Sequence, residues 1–68
     1  MAPATPLKME RVKRGWRQSD IEKLTQGEIP QNRYSLIERG VAPRPGEVGT
    51  LSKIFGLPPE NLFPGGAQ

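Results

Sequence analysis

The 68-residue chain has no cysteine and no histidine. Disulfides, thiol nucleophiles, imidazole acid–base chemistry and the common zinc sites are thereby excluded. Carboxylates remain, but those such as Glu10 and Glu22 are scattered among helix-surface positions, where solvation or ion pairing is their ordinary role. Apolar runs are short, and none approaches the ~20 residues that cross a bilayer. The opening Met1-Ala2-Pro3-Ala4-Thr5-Pro6 lacks the basic and apolar regions of a signal peptide. No alternating strand pattern, internal repeat or heptad is present. A single domain of this length buries only about 60% of its unfolded surface, which leaves little room for an elaborate cleft. These absences predict a cytoplasmic protein that is not an enzyme, does not enter membranes, and takes no cofactor, metal ion or small-molecule substrate.

What is present is basic and helical. The formal charge of +3 is uneven. Lys8, Arg11, Lys13, Arg14 and Arg17 face only Glu10 in the first seventeen residues, and the remainder is close to neutral. A one-sided cluster of this kind suits a polyanion, although a solvated surface produces the same pattern.

Punctuation along the chain predicts about five short helices. Residues 1–6, with prolines at 3 and 6, read as a mobile leader whose Thr5-Pro6 end serves as N-cap and first helical residue. A first helix follows from Leu7 to Arg14, with Leu7 and Val12 as its apolar candidates and Gly15 as its stop. Trp16 reads as a core plug. Ser19 and Glu22 have capping-box spacing for a second helix whose Ile21 and Leu24 face inward. A fourth helix over 46–55 carries Val48, Leu51 and Phe55 on one stripe and stops at Gly56, weakened by Gly49. Proline opens a last turn ending in Leu62 and Phe63, and residues 64–68 read as a frayed tail. The fold class is therefore an all-α compact bundle.

The third helix, from Pro30 to Arg39, is the candidate functional element. Ile29 and Tyr34 have the spacing of a hydrophobic staple, and Gly40 ends the helix. At about 100° per residue, Tyr34, Ile37 and Glu38 share one face, while Asn32, Ser35, Leu36 and Arg39 lie opposite. An amide, a hydroxyl, a guanidinium and an isolated leucine are the groups that read base edges, contact phosphates and touch a thymine methyl. An ordinary solvated helix with a stray Leu36 is the plainer alternative.

Several ordered motifs carry a family resemblance. They are Leu7 and Arg11, Gly15-Trp16-Arg17-Gln18, Ile37-Glu38-Arg39-Gly40, Pro43, Val48-Leu51-Ser52, and Phe55-Gly56-Leu57 with Leu62-Phe63. With these, residues 7–63 resemble the helix-turn-helix domain of the phage repressor and Cro family, also called XRE-like. The resemblance implies a lambda-repressor-like fold that binds double-stranded DNA as a homodimer, with the third helix in the major groove and the second across the backbone. It implies a nucleoid-associated transcriptional regulator, most simply a repressor. Gln31, Asn32, Ser35 and Leu36 become the base-reading candidates. Arg17, Gln18, Arg33, Arg39 and Arg44 become the phosphate-binding ones. Arg11 and Glu38 are implied to form a structural ion pair. The chain departs from the family pattern in three places: two extra residues around Gln26-Gly27-Glu28, Glu22 where a small alanine is usual, and Arg17 in place of a Ser or Thr cap. A protein-interaction module, such as an antitoxin-like partner or co-regulator using the same helix face, is the competing reading.

Overall fold

The computed structural model describes residues 5–64, and among these the chain forms five helices and no strand. They are α1 (Pro6–Lys13), α2 (Gln18–Leu24), α3 (Gln31–Glu38), α4 (Pro45–Phe55) and α5 (Pro59–Leu62). The expected all-α bundle is thus the observed one. Most of the expected leader and tail, residues 1–4 and 65–68, lies outside the described residues. None of the five helices is long and apolar enough to cross a membrane.

Local chemistry sets most helix ends. Thr5 Oγ1 accepts the Lys8 N–H at 3.2 Å, and Pro6 takes the first helical position, where a missing N–H costs nothing. α4 likewise starts on a proline and ends at Gly56, whose φ of 69° lets its N–H return to the Ser52 carbonyl at 2.9 Å. α2 differs from expectation. Its N-cap is Arg17, two residues before the expected Ser19, because the Asp20 carboxylate, rather than Glu22, reaches back to the Arg17 N–H at 2.7 Å. Pro30 is the N-cap of α3 and not its first residue. That places Ile29 and Tyr34 at the two staple positions, and both side chains are fully buried.

The turn between α2 and α3 absorbs the two extra residues through two consecutive positive φ angles, 55° at Gln26 and 81° at Gly27. Gly27 adopts this conformation freely, whereas a residue with a Cβ such as Gln26 bears a cost of about 1 kcal/mol. Buried Thr25 holds the turn together: its hydroxyl donates to the Ile21 carbonyl at 2.9 Å and accepts the Ile29 N–H at 3.2 Å. α2 consequently stays packed on α3 despite the longer connection.

One core joins all five helices: Leu7, Ile21, Ile29, Tyr34, Ile37, Leu51, Phe55 and Leu62, flanked by Trp16, Ile54, Leu57 and Phe63. Three expected core residues are not in it, among them Val48 of α4, which is only half-buried. Val12 is 57% exposed because, five residues after Leu7, it stands about 140° around α1 from the buried face. Leu24 is 43% exposed, since Thr25, one turn after Ile21, takes the inward place. Trp16 sits at the core edge, 5.3 Å from the Phe55 ring at a tilt of 50°. Arg14 covers both rings and donates to the Phe55 carbonyl at 2.8 Å, tying α1 to the end of α4.

Candidate nucleic-acid interface

α3 separates its two faces cleanly. Tyr34, Ile37 and Glu38 are buried, while Gln31, Asn32, Leu36 and Arg39 are exposed and Ser35 is half-buried. Asn32, Ser35, Leu36 and Arg39 therefore form an outward stripe at i, i+3, i+4 and i+7. Leu36 is 42% exposed, so it is not packed into its own fold. The Asn32 carboxamide oxygen accepts the Arg33 N–H at 2.9 Å, an intrahelical contact that leaves its NH2 group as an outward donor.

Beneath the stripe lies the base that keeps α3 in place. Arg11 Nε donates to Glu38 Oε2 at 2.6 Å, and its second terminal nitrogen approaches Oε1 at 3.3 Å. The first terminal nitrogen donates to the Trp16 carbonyl at 2.8 Å. Side-chain exposure is only 12% for Arg11 and 5% for Glu38. Burial alone would raise the Glu38 carboxyl, but the Arg11 guanidinium, with the Tyr34 hydroxyl and the Gln18 amide beside it, holds it below its ordinary value. The Tyr34 hydroxyl beside this pair is buried with no hydrogen-bond partner among the described residues, and burial pushes its pKa well above the phenol range.

This arrangement, a two-helix unit braced by a buried ion pair with polar groups facing outward, agrees with a comparison of the sequence with known families. A family model described as helix-turn-helix matches residues 7–62. The chain belongs to the XRE-like helix-turn-helix family. No curated protein and no solved structure matches it. The family is one of DNA-binding transcription regulators, and the five-helix bundle fits its fold.

Two of the expected phosphate-binding residues, Arg33 and Gln18, make contacts inside the fold. Arg33, expected on phosphate, grips Glu47 of α4 with two N–H groups, each at 2.8 Å, and reaches the Ala42 carbonyl at 3.3 Å. With its fork closed on a carboxylate, Arg33 joins α3 to α4 rather than standing free. Gln18 lies inside α2 and donates one amide proton to Glu38 at 3.1 Å, so half of its donor capacity serves the buried base. Glu22, at the position of the usual alanine, extends across to accept the Gln31 N–H at 2.9 Å. Glu22, Glu47 and Thr25 support α3 without a local sequence motif that marks them for that role. The Glu22 carboxylate nine residues before a helix start that lacks a side-chain cap was the one signal available.

The basic cluster is also largely committed internally. Arg11 pairs with Glu38, while Lys13 and Arg14 pair with Glu10 at 3.3 and 2.7 Å. Only Lys8 and Arg17 of the five remain without an acidic partner among the described residues, so the cluster does not face a polyanion as a unit. Arg39 and Arg44, on either side of the α3–α4 loop, are exposed and likewise have no such partner. With Lys8 on α1, Lys23 on α2 and Lys53 on α4, which also have no acidic partner among the described residues, the unpaired positive charge is spread over the bundle instead of concentrating on α1.

Proposed function

We propose that the protein is a sequence-specific transcriptional repressor that places α3 in the major groove of double-stranded DNA and binds its operator as a homodimer. The exposed stripe of α3 carries this reading. Asn32 and Gln31 supply amides that pair with adenine edges, Ser35 a hydroxyl, and Leu36 a surface suited to a thymine methyl. Arg17, Arg39 and Arg44 supply the phosphate grip, and Gln18 keeps a second amide proton for the same purpose. Repression follows from occupying the operator and requires no chemistry.

The bundle is 27 Å in its longest dimension, shorter than the roughly 34 Å between half-sites one helical turn apart. One molecule therefore offers one α3 to one half-site, and two copies complete a palindrome. The competing protein-contact reading draws on Leu36 and Val41, neighbours in the chain fold that are 42% and 41% exposed. Selection of bound duplexes from a random pool at two salt concentrations separates the two. The DNA reading expects a palindrome or half-site rich in A·T at the centre of the α3 footprint, with binding that weakens as salt rises. Recovery of no preferred sequence contradicts it.

A further inference from the structure

We propose that Glu22 of α2 and Glu47 of α4 are positioning residues for base reading, clamping the first turn of α3 from both sides and so fixing how Gln31 and Asn32 meet a base pair. The inference rests on the DNA-reading role given to α3. The first turn of a helix has N–H groups with no intrahelical partner, and Pro30 at the N-cap has no side-chain acceptor to offer them. Glu22 supplies one from the preceding helix, at 2.9 Å from the Gln31 nitrogen. Glu47 supplies a tie from the following helix, receiving both prongs of Arg33 at 2.8 Å. Glu47 is itself fixed, because the same carboxylate accepts the Arg44 N–H at 2.8 Å in the first turn of α4.

Residues 31 and 33 are thus held by opposite neighbours, with Asn32 between them. Such bracing has a specific purpose here. Thr25 braces the turn only from within, through the Ile21 carbonyl and the Ile29 N–H, and sub-ångström placement decides whether an amide meets a base edge. Both ties end at the part of the helix that would enter the groove first. The buried Arg11–Glu38 pair holds the other end.

The alternative is that Arg33 is a phosphate contact which Glu47 merely occupies in the absence of DNA. Four full-length proteins distinguish these: wild type, Glu22→Ala, Glu47→Gln and Arg33→Lys. Each is measured for affinity to the selected duplex and to a random-sequence duplex of equal length, with helicity checked by circular dichroism. The clamp expects each variant to lower the ratio of specific to random affinity by about tenfold, comparable to a mismatched base pair. Random affinity should hold, or rise where a carboxylate is lost. Arg33→Lys keeps the charge but lacks the two-pronged geometry, so it lowers the ratio without weakening random binding. It also carries the test if Glu47→Gln does not fold.

Two results overturn the clamp. In one, Glu47→Gln raises both affinities together, which marks Arg33 as a released phosphate contact. In the other, both affinities fall together, which marks the ties as support for the fold alone. A wild-type protein that shows no specific-to-random difference instead removes the DNA-reading role, and the clamp with it.

Discussion

Glu38 receives hydrogen bonds from Arg11 and Gln18 while nearly the whole side chain is out of water. Removing Arg11 leaves that carboxylate buried without its counter-charge. Arg11→Ala or Glu38→Ala is therefore expected to cost about 3 kcal/mol or more, read from the denaturant midpoint. Lys13→Ala provides the contrast: its partner Glu10 is shared with Arg14 and the Lys13 side chain is 69% exposed, so the loss should stay under about 1 kcal/mol. Equal shifts in the two experiments would show that the Arg11 pair is not a buried support. Tyr34→Phe removes a buried hydroxyl that lies beside Glu38 without a well-formed hydrogen bond among the described residues, so it should leave the midpoint unchanged or raise it. A loss of about 1 kcal/mol would reveal a hydrogen bond to that hydroxyl. The Arg11–Glu38 partnership was legible through the family spacing. Arg33–Glu47 was not, because both are ordinary helix-surface charges in sequence and only the approach of α4 to α3 brings them together.

α4 shows how far element-level reasoning extends. Pro45, Gly56 and the stripe of Leu51 and Phe55 mark its ends and inner face by local rules. Gly49 lies in its middle, exposed, with nothing within 4 Å of where a Cβ would stand. Gly49→Ala should therefore stabilise the protein by about 1 kcal/mol, measured by thermal or denaturant unfolding. A loss of stability would mean that the position is more crowded than it appears. Glu47, near the start of the same helix, is held down at about 2 from an ordinary 4.5, chiefly by its hydrogen bonds from Arg33. The unfolded chain takes up this proton more readily than the folded one, so stability should fall as pH drops from about 4.5 towards 2. Glu47→Gln should flatten that part of the stability–pH curve, and an unchanged curve would place the titration elsewhere. The glycine stops after α1 and α4 were readable because their signals are contiguous in sequence, whereas α4 starts at Pro45, one residue before the expected Gly46, and α1 ends at Lys13, one before the expected Arg14. The cap of α2 shifted by two residues because two carboxylates, Asp20 and Glu22, compete for similar roles. Val12 and Leu24 were misplaced because helices of eight and seven residues carry too few apolar positions to define a face.

At the scale of the whole molecule, internal ion pairs redistribute the positive charge. With Arg11, Lys13, Arg14 and Arg33 all paired, Arg17, Arg39 and Arg44 are the arginines left without an acidic partner among the described residues. Three phosphate contacts per molecule give a slope of log affinity against log salt of roughly −3. That is shallower than the count of basic residues in the sequence suggests. The central claim is that one stripe of α3 reads bases while the surrounding arginines only grip. Comparing Asn32→Ala with Arg39→Ala, on the selected duplex and on random DNA across a salt series, tests it most directly. Asn32→Ala should weaken the selected site by about 1 to 3 kcal/mol and leave random binding unchanged, whereas Arg39→Ala should weaken both alike and flatten the salt slope by about one unit. An Asn32→Ala protein that loses both affinities equally would contradict the account.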